Sequence, residues 1–251
     1  MTMRVLFESA DVLKKSIKAL SALIDEGEFL FDEEGMKLRA TDPSKIAMVD
    51  FNLPKHAFKE YDVPGPVRIG LNMSDMEGVF KKVRAGESVE MELSEDGSRF
   101  FITLHGKARR RFTLPVIDLG GMELPVPKIP FTANAKVLAE VFASAVDDAS
   151  AFSTHATIHL KADGMQIRAA GSKGEYVLEL KMGEHDALLD LQVNEEARAS
   201  YPLDYLSDMV SQANKTAAIS IALSTDAPLK LAYSIGDANF TYFLAPRIET
   251  G

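Results

Sequence analysis

His155-Ala-Thr-Ile-His159 sets two imidazoles four residues apart. On a helix, that spacing turns both rings to one face, where they can share a metal ion. The neighbouring residues alternate apolar and polar, which is the period of a strand, and no third ligand is evident. The pair therefore reads as strand surface. Asp147-Asp148 and Glu195-Glu196 are acidic pairs, read as solvated surface, with a salt bridge between subunits as the rival. There is no GxGxxG after a strand, no GxxxxGK(S/T), no GxSxG and no HExxH. The chain has no cysteine, which removes disulfides, thiolate metal sites and thiol nucleophiles. Asn72-Met-Ser and Asn214-Lys-Thr match glycosylation sequons but mean little without a secretory route. The expectation is no catalytic residue, no metal and no cofactor.

The elements that carry these residues come from a chain of 251 residues, 46% apolar and 26% charged. That is enough for one large domain or two of about 125 residues, with an ordinary core. The balance of 28 basic against 37 acidic residues gives −9. A protein that holds DNA by neutralising phosphates is usually basic, so any DNA role must rest on local charge or on topology. The first apolar stretch is broken by Arg4, Glu8 and Asp11, which is not a secretory leader. No apolar run approaches the ~20 residues that span a bilayer. An intracellular, cytoplasmic protein with no membrane partner is expected.

The chain repeats itself. Gly35-Met-Lys-Leu-Arg-Ala40 is echoed by Gly164-Met-Gln-Ile-Arg-Ala169, Val89-Glu-Met-Glu-Leu93 by Ile219-Ser-Ile-Ala-Leu223, and Phe112-Thr-Leu-Pro115 by Tyr242-Phe-Leu-Ala-Pro246, all at an offset near 130. A finer repeat lies within. Leu13, Ile17, Leu20 and Ile24 form a helical apolar stripe, as do Met76, Val79, Phe80 and Val83. Val137, Leu138, Val141, Phe142 and Ala145 form a third stripe; Leu206, Met209, Val210 and Ala213 form a fourth. Ser9 and Asn134 are expected N-caps, and Ser74-Asp-Met-Glu77 fits a capping box. Alternating segments follow each stripe, such as Glu28-Phe-Leu-Phe31, Phe100-Phe-Ile-Thr-Leu104, Tyr176-Val-Leu-Glu-Leu180 and Leu229-Lys-Leu-Ala-Tyr233. Four helix-plus-strands units imply an α+β fold of two similar domains with antiparallel sheets. The domains are expected at 1–117 and 131–251. Residues 118–130, with three prolines and two glycines, form an extended connector whose Met122, Leu124, Val126 and Ile129 lie on the body.

Leu38-Arg-Ala-Thr-Asp-Pro-Ser-Lys-Ile-Ala-Met-Val49 and the ending Leu244-Ala-Pro-Arg-Ile-Glu249 resemble the signatures of the proliferating cell nuclear antigen family, the sliding clamps of archaeal and eukaryotic replication. Asp42-Pro43-Ser44 and the short tail look archaeal, which implies action at the nucleoid. The resemblance covers the whole chain. It implies a trimeric ring with sheets outside and helices lining the hole. Twelve helices at ~10 Å each close a circle of axes about 38 Å across and leave roughly 28 Å clear; eight leave only about 15 Å, too narrow for duplex DNA.

The resemblance also assigns surfaces. Subunits are expected to join through the strands holding Arg109, Arg110, Arg111, Phe112 and Leu114 and holding Tyr176, Leu178 and Leu180. From charge, Arg84 and the arginine run are expected to face Glu140, Asp147 and Asp148 of the next subunit. Encircled DNA is expected to meet Lys14, Lys15, Lys18, Lys81, Lys82, Arg84 and Lys215. The first two helices carry net charges of +2 and +1, the last two −2 and −1; Asp204 stands where clamps often carry a basic residue. Weak, salt-sensitive contact suits sliding. A partner-peptide groove for PIP boxes is expected from Thr41, Ser44, Lys45, Ile46, Met48, Met122, Leu124, Pro228, Phe243, Ala245 and Pro246. The implied function is a DNA polymerase sliding clamp, a processivity factor that is no enzyme. Its partners are the clamp loader, DNA polymerase, ligase and flap nuclease. The rivals are a small-molecule enzyme on a duplicated scaffold, which needs a convergent polar pocket, and a monomeric DNA-binding accessory protein.

Overall fold

The computed structural model describes residues 3–121 and 124–247. The elements run β1 (Arg4–Phe7), α1 (Ala10–Ser21), β2 (Glu26–Phe31), β3 (Gly35–Thr41), β4 (Ala47–Pro54), β5 (Glu60–Asp62), β6 (Val67–Asn72), α2 (Met73–Phe80), β7 (Ser88–Leu93), β8 (Arg99–His105) and β9 (Arg109–Pro115). They continue with β10 (Ala133–Leu138), α3 (Ala139–Ser150), β11 (His155–Lys161), β12 (Gly164–Gly171), β13 (Gly174–Lys181), β14 (Leu188–Val193), β15 (Ala197–Pro202), α4 (Leu203–Val210), β16 (Ala218–Leu223), β17 (Leu229–Ile235) and β18 (Ala238–Leu244). Strand, helix, three strands recurs four times, with β5 and β14 as additions. This is the α+β fold that the repeat predicted.

The chain divides into two compact units. The first holds residues up to Lys45, Val49–Pro125 and Ile235–Phe240; the second holds Ile46–Met48, Val126–Ser234 and the segment from Thr241 on. The division falls inside the proline-rich connector. In the first unit the strands pair in the order β5-β1-β7-β8-β9 and β6-β2-β3-β4. In the second they pair as β13-β12-β11-β15 and β14-β10-β16-β17-β18. Pairings such as β7 with β8 and β11 with β12 are antiparallel. Helix α1 packs beside α2 in the first unit and α3 beside α4 in the second.

Burial explains the stripes. Leu13, Ile17 and Leu20 of α1, Met76, Val79 and Phe80 of α2, Phe142, Ala145 and Val146 of α3 and Leu206, Met209 and Val210 of α4 are all buried. Each full burial of such a side chain is worth about 1.5–3 kcal/mol. The echoed glycines have a steric reason. A Cβ on Gly35, whose φ is +144°, would lie 2.2 Å from the Leu53 carbonyl oxygen; one on Gly164 would lie 2.3 Å from that of Leu180. Both mark close approach of a neighbouring strand.

Of the three expected caps, Ser9 holds its position and two need correction. Ser9 is the N-cap of α1 but makes no side-chain capping bond. Asn134 lies within β10; α3 begins at Ala139 after Leu138, so Val137 and Leu138 are strand residues. Ser74 is inside α2, and the cap is Asn72, whose side chain accepts from the Asp75 N–H at 3.0 Å. Asn72→Ala should cost about 1 kcal/mol. Urea unfolding checks it: the midpoint should fall while the slope stays constant.

Candidate functional site

The first unit ends its five-strand run on β9, and the second ends its four-strand run on β13. Neither β9 nor β13 has a partner on its outer side among the described residues. On β9, Phe112 and Leu114 are half-buried and alternate with exposed residues. On β13, Tyr176 and Leu178 are half-buried and Val177 is exposed. Val177 was not singled out from the sequence, since it falls on the opposite phase from Tyr176, Leu178 and Leu180. Leu180, expected at the edge, is only 4% exposed and belongs to the core of its own unit. A cavity of about 540 Å³ lies between α3, α4 and β13, lined by Glu140, Asp148, Tyr176, Leu178, Ser211 and Lys215 among others. Burial, then nearby Asp148, raises the Tyr176 hydroxyl pKa.

The arginine run is answered within its own chain. Arg109 lies 3.7 Å from Glu90, Arg110 2.6 Å from Glu87 and Arg111 3.5 Å from Glu92. The Arg111 guanidinium also stacks 3.9 Å from the Phe101 ring centroid. Arg110 is turned away from the exposed row and donates to the Lys82 carbonyl at 3.0 Å. Within the chain, Arg110 is committed, while Arg109 and Arg111 are loosely paired. Arg84, Glu140 and Asp147 are exposed.

Glu87 is the anchor of that network. The Arg84 N–H donates to its carboxylate at 2.8 Å, and Arg110 donates twice, at 2.6 and 2.8 Å. These bonds, led by the Arg84 N–H, hold the Glu87 carboxyl below its ordinary value of 4.5. A depressed folded-state pKa gives stability present above the ordinary value and lost as pH falls through the lowered one. Glu87→Gln should therefore lower stability at pH 7, and the gap to wild type should close in acid. Denaturation midpoints across that range test it.

The helix faces differ between units. Lys15 and Lys18 of α1 and Lys81, Lys82 and Arg84 at the end of α2 are exposed. Lys14 is half-buried and donates to the Val83 carbonyl at 3.2 Å, tying α1 to the end of α2. Lys81 pairs with Glu77 at 2.9 Å. In the second unit, α3 exposes Glu140, Asp147 and Asp148, and α4 exposes Asp204 and Asp208. Burial, then Asp204, pushes the Asp208 carboxyl up. Lys215 is exposed beyond α4.

The expected groove residues fall in both units. In the first, Thr41 ends β3, and Ser44 and Lys45 lie in the turn that follows buried Asp42, whose carboxylate accepts from the Ser44 N–H at 2.8 Å. Lys45 has a φ of +60° there. Leu124 is half-buried, and its carbonyl accepts from Arg39 at 2.8 Å while Arg39 pairs with Asp50 at 3.0 Å. Arg39 was not named as a functional residue from sequence, since nothing in its motif shows that it holds the connector. Met122 lies outside the described residues. Val126 is 45% exposed, against the expectation that it lies on the body; Ile129 is half-buried.

In the second unit, Ile46 is 37% exposed, and its carbonyl accepts from the Ala245 N–H at 2.8 Å. Met48, Pro228, Ala245 and Pro246 are half-buried. Phe243, expected as an anchor contact, is 6% exposed and packs in the core. His155 and His159 both lie on β11, and His159 sits 3.6 Å from Glu196. Among the described residues no group of three His, Cys, Asp or Glu is arranged to hold a metal, and no helix is long and apolar enough to cross a membrane.

Solved structures share this architecture. A PCNA from Thermococcus kodakaraensis superposes with a TM-score of 0.93 at 29% identity, covering 98% of this chain and 100% of that one. The A. fulgidus PCNA bound to the C-terminal region of FEN-1 gives 0.89 at 27%, covering 99% and 100%. The fold is the two-domain clamp fold. Residues 2–124 match the N-terminal domain of proliferating cell nuclear antigen and residues 125–248 its C-terminal domain. The DNA polymerase sliding clamp of Thermococcus gammatolerans is 37% identical over 252 residues, 99% of this chain and 100% of that protein. That of Pyrococcus furiosus is 36% identical over 250 residues, with 99% and 100% covered. The chain belongs to the proliferating cell nuclear antigen family.

Proposed function

We propose that this chain is the subunit of a trimeric DNA polymerase sliding clamp, a non-catalytic processivity factor. The observation that carries the reading is the pair of open edges: β9 with Arg109, Arg110 and Arg111, and β13 with Glu175 and Glu179. One edge is basic and one acidic, and each presents half-buried apolar residues. Two different surfaces joined head to tail give a cyclic ring when the angle closes. A PCNA2–PCNA3 complex from Sulfolobus tokodaii, similar to this chain with a TM-score of 0.88 and 28% identity over 98% of this chain and 99% of that one, supports association between such subunits.

In this reading duplex DNA threads the ring and meets Lys15, Lys18, Lys82 and Arg84 most directly, weakly and without regard to sequence. The functional domains run 1–117 and 131–251, with 118–130 as the connector. Clamp loader, DNA polymerase, ligase and flap nuclease dock through PIP-box peptides on Ile46, Met48, Ala245 and Pro246, with Thr41, Ser44, Lys45, Met122, Leu124 and Pro228 as further candidates. The FEN-1 segment in the A. fulgidus relative supports this mode of docking. Ile46→Asp should weaken a PIP-box peptide at least about tenfold, a loss of 1.4 kcal/mol or more. Fluorescence anisotropy reads the affinity, and solution mass shows whether assembly is intact. An unchanged affinity rejects the docking site.

A further inference from the structure

The outer face of the β13-β12-β11-β15 run carries a built polar pocket. Residues Ala156, Ile158 and Leu160 of β11 are buried on the side that packs under α3. His155, Thr157 and His159 therefore point the other way. Register places Arg168 of β12 directly beside Thr157, and Thr157 directly beside Ser200 of β15. The Thr157 and Ser200 hydroxyls are 2.7 Å apart. The Arg247 N–H donates to the Ser200 carbonyl at 2.8 Å, which seats Arg247 along the outer side of β15. These groups, with His155 and Ser153, line a cavity of about 230 Å³.

The row thus reads guanidinium, hydroxyl, hydroxyl, guanidinium. Arg168 gives its Nε and one Nη to Glu175, at 3.1 and 2.7 Å, which leaves its other Nη free to donate. The Arg247 side chain has no carboxylate partner among the described residues. The two hydroxyls share one bond, so one of them keeps a hydrogen to give. Burial, then the nearby positive Arg247, lowers the His155 pKa. Charged, forked donors with a hydroxyl between them match a carboxylate or a phosphate. With Glu175 set against Arg168, the pocket keeps the positive charge of Arg247.

We infer that the pocket bounded by Arg168, Thr157, Ser200 and Arg247 receives an acidic side chain of the docked partner peptide, adjoining its apolar anchors. The inference rests on the docking reading above. Arg247 directly follows Ala245 and Pro246, the residues assigned to that docking segment, so a peptide lying there reaches the pocket without a break. The pocket faces away from α3, so DNA lying against the helix faces does not reach it.

The test uses the full-length protein and peptides with apolar anchors that carry Glu or Gln at each flank in turn. Wild type should bind one Glu-flanked peptide about tenfold tighter than its Gln counterpart, the usual worth of a hydrogen bond to a charged group. Arg247→Gln and Arg168→Gln should erase that preference while leaving the Gln-flanked affinity unchanged. Equal binding of Glu and Gln peptides by wild type overturns the pocket and leaves the docking reading standing. A preference that survives both substitutions overturns the pocket as well. Failure of every peptide to bind overturns the docking reading and the pocket with it.

Discussion

A Leu178→Asp variant should run in solution at the 27.5 kDa of one chain, where wild type runs at about three times that mass. Leu178 is half-buried on the open edge β13, so an aspartate there stays solvated in the free subunit and the fold survives. In the proposed ring the same carboxylate would face the half-buried Phe112 and Leu114 of a neighbour. The lost apolar contact is worth about 2 kcal/mol, and an unpaired charge in a dry interface adds several more. Together they weaken each contact by at least a factor on the order of a thousand. Leu189→Asp is the control, since Leu189 is an exposed leucine on β14, which pairs with β10 and belongs to neither open edge. It should leave the mass unchanged. A Leu178→Asp protein that stays trimeric at low concentration refutes edge-to-edge closure through β13.

The second large effect concerns DNA. Once loaded, wild type should stay on closed circular duplex longer than on linear duplex of the same sequence, by on the order of a hundredfold. Escape from a circle requires an interface to open, and a cost of about 2.7 kcal/mol already gives that factor. Escape from linear DNA requires only sliding past an end against weak phosphate contacts, which salt weakens further. Raising salt should therefore shorten the linear lifetime first. Surface-tethered DNA, cut or uncut, with labelled protein reads both lifetimes. Equal values on the two substrates would remove encirclement as the source of retention.

The repeat was legible because burial writes it twice. The stripes at Leu13, Ile17 and Leu20 and at Met76, Val79 and Phe80 are the faces that pack. The helix starts were less legible, and the reason is local. Strand β6 ends at Asn72 and α2 begins at Met73; β10 ends at Leu138 and α3 begins at Ala139; β15 ends at Pro202 and α4 begins at Leu203. The period changes from two to 3.6 with no turn between, so Val137 reads as helix and Asn134 as a cap. Edge and core were confused on β13 because Tyr176, Leu178 and Leu180 share one alternation phase while burial deepens along the strand. The glutamates that answer Arg109, Arg110 and Arg111 lie about twenty positions earlier and only β pairing brings them near. The Arg168–Arg247 pocket had no signal, because its members come from separate strands and the end of the chain.

A duplicated chain is free to let its copies diverge, and the helices have done so: α1 exposes lysines where α3 exposes aspartates. At Gly35 and Gly164 that freedom stops. A methyl group at either place would overlap a carbonyl oxygen of the adjacent strand, and no rotamer relieves a clash with backbone. The two positions are therefore fixed by shape alone. Whatever duty either half acquires, its second hairpin must open on the one residue without a side chain.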